Sequence, residues 1–166
     1  MLILKNVIQR VQGYRPRALQ MPQDSCEAAV LMPLTRAENP ELVLTLRAQT
    51  LSTHGGEVAF PGGRRDPEDQ DLIRTALRET HEEVGVTPDL VEVVGPLSEV
   101  ISRHGVKVTP YVGFVPEAYE YQANADEIDS IFSVPLEYFA NDPREITHRI
   151  DYLGRTWYVP SYHFAG

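Results

Sequence analysis

Three glutamates, Glu79, Glu82 and Glu83, are crowded into the run Arg78-Glu79-Thr80-His81-Glu82-Glu83-Val84-Gly85-Val86. An α-helix turns about 100° per residue, so with Glu79 at zero Glu83 falls at about +40° and Glu82 at about −60°. Like charges on one face weaken a helix by a few tenths of a kcal/mol per pair. A bound cation removes that cost, and carboxylate oxygens are the ligands that a hard divalent ion such as Mg²⁺ takes. The residue types and their spacing point to metal-assisted chemistry. Arg78 lies at about 260° on the same arithmetic, placed to brace a neighbouring loop rather than to touch a metal. His81, at about 200°, belongs to the surface.

The helix that carries these acids needs a packing face, and Ile73, Ala76, Leu77, Thr80 and Val84 supply one over an arc of about 60° to 160°. Asp69 and Asp71 offer acids for its first turn, and Gly85 offers the left-handed residue that ends it. Before it runs Phe60-Pro61-Gly62-Gly63-Arg64-Arg65-Asp66-Pro67-Glu68. Consecutive glycines allow a sharp turn and a close backbone approach, so the expected unit is strand, tight loop and helix.

Elsewhere Leu4, Val7, Ile8 and Val11 are spaced as a short amphipathic helix. Ala28–Met32 and Leu42–Leu46 read as buried strands around a turn at Glu38-Asn39-Pro40, with a shorter strand at Glu57–Phe60. Leu90–Ile101 and Val106–Val115 are strand-like, and Arg103-His104-Gly105 turns between them. Residues 119–129 read as loop, Pro135–Phe139 as about one helical turn, and Ile146–Ile150 with Arg155–Val159 as a hairpin around Gly154. Strands thus flank a central helix in an α/β sandwich.

At 166 residues the chain suits one domain, residues 1–166. Its final residues, Tyr162-His163-Phe164-Ala165-Gly166, follow strand-like sequence with no closing helix, and the expectation is that a C-terminal segment is missing. A formal charge of −9 argues against nucleic acid as a partner, because phosphate backbones are met by a basic footprint. Cys26 is the single cysteine, so no intrachain disulfide and no cysteine zinc site forms. The N-terminus is too short in apolar length for a signal segment, and no run reaches membrane-spanning length. The expectation is a cytoplasmic protein that binds a small molecule. The sequence leaves monomer and homodimer both open.

The run Gly62–Val86 resembles the Nudix box, the signature of hydrolases that cleave a nucleoside diphosphate linked to another group. Arg78–Val86 follows the pattern except that Thr80 stands for an apolar residue. The loop before it is longer: five residues after Gly63 reach Asp69, and five after Gly62 reach Glu68, so the family's loop acid has two candidates. Upstream, Arg47, Leu51, His54, Gly56-Glu57 and Phe60-Pro61-Gly62-Gly63 resemble the extended motif of the coenzyme A diphosphatase branch, which also tends to have the lengthened loop and a Thr-Ala-Leu-Arg-Glu entry, here Thr75–Glu79. The two motifs together cover Arg47–Val86.

The resemblance implies a Nudix-type α/β/α sandwich with a central mixed sheet. It also implies Mg²⁺- or Mn²⁺-dependent hydrolysis of coenzyme A or its derivatives to 3′,5′-ADP and 4′-phosphopantetheine. Glu79 and Glu83 become principal metal ligands, and Glu82 a third ligand or the group that orients water. Glu127 is a further carboxylate, a general base or a solvated loop acid. Arg78 joins Glu82 and Glu127 as a catalytic residue, and Arg47, His54, Gly62 and Gly63 become substrate-binding residues. Arg47 either holds a coenzyme A phosphate or pairs with a local carboxylate; His54 either meets substrate or caps its turn. Arg103, His104 and Lys107 form a basic cluster read as a solvated turn, and Trp157 is read as packing. Two alternatives keep the fold: a Nudix pyrophosphatase for ADP-ribose, a dinucleotide or a nucleoside triphosphate, and a noncatalytic nucleotide sensor.

Overall fold

A computed structural model describes residues 2–22, 25–51, 54–102, 104–142, 144, 146–152 and 155–164. Leu2–Gly13 forms α1; Glu27–Thr35, Glu41–Arg47, Val58–Ala59 and Gly62–Arg64 form β1 to β4; Leu72–Val84 forms α2. A 3₁₀ turn at Pro88–Leu90 leads into β5 (Glu92–Pro96), β6 (Val100–Ile101) and β7 (Lys107–Val115). Then follow β8 (Ile128–Pro135), α3 (Leu136–Ala140), β9 (Ile146–Tyr152) and β10 (Arg155–Ser161).

The main sheet runs β3-β2-β1-β7-β5, with β4 on β1, β6 on β7 and β8 on β2. Only β1 and β7 pair in parallel, from Glu27↔Lys107 to Thr35↔Val115, and every other pairing is antiparallel. The sheet is therefore mixed, as expected.

Its two faces take different helices because successive strand residues point to opposite sides. Ala29 and Leu31 pack with Ala76 of α2, whereas Leu34, Leu42, Leu44, Val112 and Phe114 gather Leu4, Val7, Ile8 and Val11 of α1. That arrangement is the α/β/α sandwich. β9 and β10 make a separate two-stranded hairpin, in register from Tyr152↔Arg155 to Ile146↔Ser161. The expected turn residue Gly154 and the side chain of Trp157 lie outside the described residues.

Several elements differ from the sequence reading. The end of the expected loop 119–129 and the unassigned stretch after it form β8, paired with β2 from Arg47↔Ile128 to Glu41↔Pro135. Asp129, Ser130 and Ser133 interrupt its apolar run, which hides the strand until it has a partner. Gly62–Arg64, read as loop, adds to β1 with Ala29 opposite Gly63. Asp71 is the N-cap of α2, accepting from the Arg74 backbone N–H at 2.8 Å, and Asp69 lies in the loop before it rather than in the first turn. Gly85 ends the helix at φ 79°, the left-handed conformation that favours glycine. Among the described residues no helix is long and apolar enough to cross a membrane.

Phe114 tests the core facing α1, since it is 1% exposed at the centre of that cluster. Phe114→Ala should lower unfolding free energy by about 3–5 kcal/mol, read as a lower urea midpoint at unchanged m-value.

Candidate active site

The loop between β4 and α2 is organised by one buried carboxylate. Asp69 accepts from the Asp66 backbone N–H at 3.0 Å and the Thr75 hydroxyl at 2.9 Å. Arg78 reaches back from the helix and donates to both Asp69 oxygens, Nε at 3.2 Å and Nη2 at 3.0 Å. The two-pronged guanidinium contact, with the loop bonds beside it, holds the Asp69 carboxyl down at about 2 despite its burial. The spacing from Gly63, rather than from Gly62, thus identifies the acid that braces the loop. Asp69 escaped the sequence reading as a site residue because two counts were open.

Arg78 has further partners. It donates to the Arg64 carbonyl at 3.1 Å, tying α2 to β4, and to Glu79 and Glu82 at 3.0 Å each. Its bonds to Asp69 and then to Glu79 raise the Arg78 pKa, so it stays cationic. The three helix acids differ steeply in exposure, with side chains 2% exposed at Glu83, 16% at Glu79 and 52% at Glu82.

Glu83 is compensated from outside its own helix. Arg47, at the end of β2, donates through Nη1 to Oε1 at 2.8 Å, and the Gly62 backbone N–H donates to Oε2 at 3.1 Å. Burial pushes the Glu83 carboxyl up to about 7 against the pull of these two donors. Burial also raises Glu79, with Glu82 and Glu127 adding like charge and Arg78 opposing. The local carboxylate of Arg47 is therefore Glu83, one of the two partners that the sequence left open for it.

Gly62 and Gly63 make the close backbone approach expected of them. Gly62 spends its N–H on Glu83, and both glycines sit in the pairing with β1. A Cβ on Gly62 would stand 2.4 Å from the Ala29 carbonyl oxygen, and one on Gly63 would stand 2.4 Å from Glu79 Oε1. They let the strand and the helix approach; no free donor at Gly62 is left for substrate.

Residues 119–127 wrap the far end of α2. Tyr119, Gln122 and Asn124 donate to the carbonyls of Gly85, Val84 and Glu83 at 2.7, 3.1 and 3.1 Å, satisfying acceptors that a helix end leaves open. The segment closes with Glu127 facing an open cleft of about 640 Å³ shared with Glu79, Glu82, Glu83, Arg47 and His54. Phe60, Gly62 and Gly63 also line it, and Ala28, Val30 and Val108 contribute an apolar wall. His104 is exposed on its turn, as read from the sequence, and lines the cleft as well; Lys107 pairs with Glu27 at 2.9 Å, and Arg103 lies outside the described residues. His81 is exposed and does not line the cleft.

The NUDIX domain family matches residues 27–153, most of the chain. The chain belongs to the Nudix family. Curated proteins described as "Uncharacterized Nudix hydrolase NudL" in Enterobacter sp. and Cronobacter sakazakii are each 44% identical over 81% of this chain and 70% of their own length. Among solved structures, a Nudix hydrolase from M. smegmatis, RenU, superposes with TM-score 0.57 at 24% identity, over 69% of this chain and 73% of that one. The Nudix domain of Shewanella oneidensis NrtR, crystallised with ADP ribose, gives 0.56 at 19% identity over 80% and 85%. These structures show the shared fold.

Nudix hydrolases generally use divalent ions, and the donor set here fits one. Five carboxylates, Glu57, Glu79, Glu82, Glu83 and Glu127, line one cleft, and burial together with the charge of Glu82 and Glu127 raises the Glu79 carboxyl. All are oxygen donors of the kind that Mg²⁺ and Mn²⁺ take. Among the described residues no three acid, imidazole or thiolate groups are already arranged to hold a metal, because Arg78 and Arg47 draw the helix carboxylates toward themselves.

The Asp69 brace yields a pH-dependent test. Its folded pKa lies below the 3.8 of an ordinary aspartate, at about 2, so its contribution is present above about pH 4 and is lost as pH falls toward 2. Asp69→Asn should cost about 2 kcal/mol near neutral pH and flatten the acid limb of the stability profile between those values. A variant with the same acid limb as the wild type would remove the brace from the stability account.

Proposed function

We propose that this Nudix hydrolase cleaves the diphosphate of coenzyme A or a coenzyme A derivative, giving 3′,5′-ADP and 4′-phosphopantetheine. The observation that carries the reading is the meeting of two motifs in one cleft. Arg47, His54, Glu57, Phe60, Gly62 and Gly63 line the same cavity as Glu79, Glu82 and Glu83, and Arg47 is bonded directly to Glu83. The upstream residues are those that resemble the coenzyme A diphosphatase branch.

In this reading Glu79 and Glu83 are the principal donors to Mg²⁺ or Mn²⁺, with Glu82 a third donor or the residue that orients the attacking water. A divalent ion supplies charge neutralisation at the phosphate oxygens and lowers the pKa of water. The chain's own part is to hold its carboxylates where the diphosphate lies. Arg47 and the Gly62 N–H fix both oxygens of Glu83, and Arg78 orients Glu79 and Glu82 from the loop side. In this reading Glu127, on the loop that caps α2, serves at the cleft as a further carboxylate or the general base.

With Mg²⁺ or Mn²⁺ the purified protein should release 3′,5′-ADP from coenzyme A with a higher kcat/KM than AMP from ADP-ribose or NADH. The reverse order would move the substrate to ADP-ribose or a dinucleotide. Glu83→Gln keeps the shape of the side chain and should reduce kcat roughly 10²–10³-fold, the scale of losing one preorganised electrostatic contact, with the circular dichroism spectrum of the folded protein kept although the melting temperature falls as Arg47 loses its carboxylate. Undiminished turnover in that variant would refute the metal role of Glu83, and absence of turnover in the wild type on every substrate would favour a nucleotide-sensing module.

A further inference from the structure

The basic side chains of the cleft divide into groups with different freedom. Arg47 is committed to Glu83 at 2.8 Å, and Arg64, exposed on β4, lines the cleft as well. His54 and His104 come from the β2–β3 loop and the β6–β7 turn, two connections far apart in sequence. Their rings meet edge to face, with centroids 4.8 Å apart at 82°.

Both imidazoles are held in place by their own surroundings. His54 has a left-handed backbone, φ 59°, which costs a non-glycine residue about 1 kcal/mol or more and persists only where neighbours impose it. Its Nδ1 lies 2.7 Å from Glu57 Oε2. A carboxylate partner requires the proton on Nδ1, so Nε2 is the nitrogen left for another group. His104 sits on a turn closed by three hydrogen bonds, Ser102 N–H to Val106 carbonyl at 2.8 Å, Gly105 N–H to Ser102 carbonyl at 2.9 Å and Val106 N–H to Ser102 Oγ at 3.1 Å. Among the described residues neither ring nitrogen of His104 has a hydrogen-bond partner. Two oriented imidazoles with outward nitrogens thus border a cleft otherwise rich in carboxylates.

We propose that His104, stacked on His54, contacts the substrate phosphate remote from the scissile diphosphate and so selects nucleotides that carry a 3′-phosphate. The inference rests on the coenzyme A reading. A substrate with two separate anionic groups must keep the second one clear of Glu79, Glu82, Glu83 and Glu127, where it would meet like charge without its own counter-ion, whereas Glu57 beside the histidines already accepts from His54 Nδ1. An imidazole N–H donates to phosphate, so the ring accommodates the second anion where a carboxylate repels it. Ala28, Val30 and Val108 give the same cavity an apolar wall, and Ser102, Arg64 and Glu57, which is bonded to His54, line it beside the histidines.

The experiment compares coenzyme A with 3′-dephospho-coenzyme A, which has the same diphosphate and a 3′-hydroxyl, in the wild type, His104→Ala and His104→Gln. His104→Ala should raise KM for coenzyme A roughly tenfold, the loss of a hydrogen bond to a charged group, with kcat nearly kept. The 3′-hydroxyl substrate should change less than twofold, and His104→Gln, which retains a donor, should recover part of the coenzyme A affinity. Equal losses on both substrates, or none on either, would overturn the proposal while leaving the coenzyme A reading intact. A wild type that turns over ADP-ribose faster than coenzyme A would overturn that reading and this inference with it.

Discussion

A carboxylate buried to 1% exposure, on the same helix as two others, has to be compensated by positive charge and donors that reach it from elsewhere. Arg47 does this for Glu83, and Arg78 does the same for the acids beside it. Arg47 approaches Glu83 from the end of β2, and Arg78 turns from α2 toward Asp69, Glu79 and Glu82. Removing one partner of such a buried pair leaves an uncompensated charge, which is far costlier than the pair is stabilising. The position of β2, the course of the loop before α2 and the pairing of β4 with β1 all follow from satisfying these contacts.

The glycines belong to the same constraint. For the Gly62 N–H to reach Glu83 and for Glu79 to lie across Gly63, backbone and carboxylate must come closer than any Cβ permits. Pairing of Gly62 and Gly63 with Val30 and Ala29 fixes the strand under the helix, so the approach is set by sheet register and not by a flexible loop. The opposite end of α2 is controlled by residues 119–127, which cap its carbonyls and in the same course deliver Glu127. Helix termination and placement of an acid are one event.

Much of this was legible in the chain. The span and packing face of α2, its Gly85 cap and the relation of Arg78 to the loop follow from helical rotation and from glycine's access to positive φ. The mixed sheet and the flanking helices came from the family resemblance. What was not legible depended on long-range partners. Glu83 is an acid in sequence and a core residue in space, because Arg47, 36 residues earlier, neutralises it. β8 lacks a clean alternation and is a strand by virtue of β2 beside it. His104 and Lys107 look alike as members of a basic turn, yet one faces the cleft and the other is held by Glu27; local composition has no means of separating them.

Fold and substrate are carried by different parts of the molecule. Solved structures at 19% and 24% identity keep the scaffold, and a scaffold shared at such distance tolerates many substrates. In the proposed reading the acids of α2 meet only a diphosphate, which any of those substrates provides. Selection must therefore come from segments that border the cleft without holding its carboxylates in place. The β2–β3 loop and the β6–β7 turn meet that condition: they flank β1 from β2 and β7, and their tips touch through His54 and His104. Changes there alter what is bound with little disturbance to Arg78, Asp69 or Glu83, so substrate choice can diverge while the charge compensation that holds the fold is preserved.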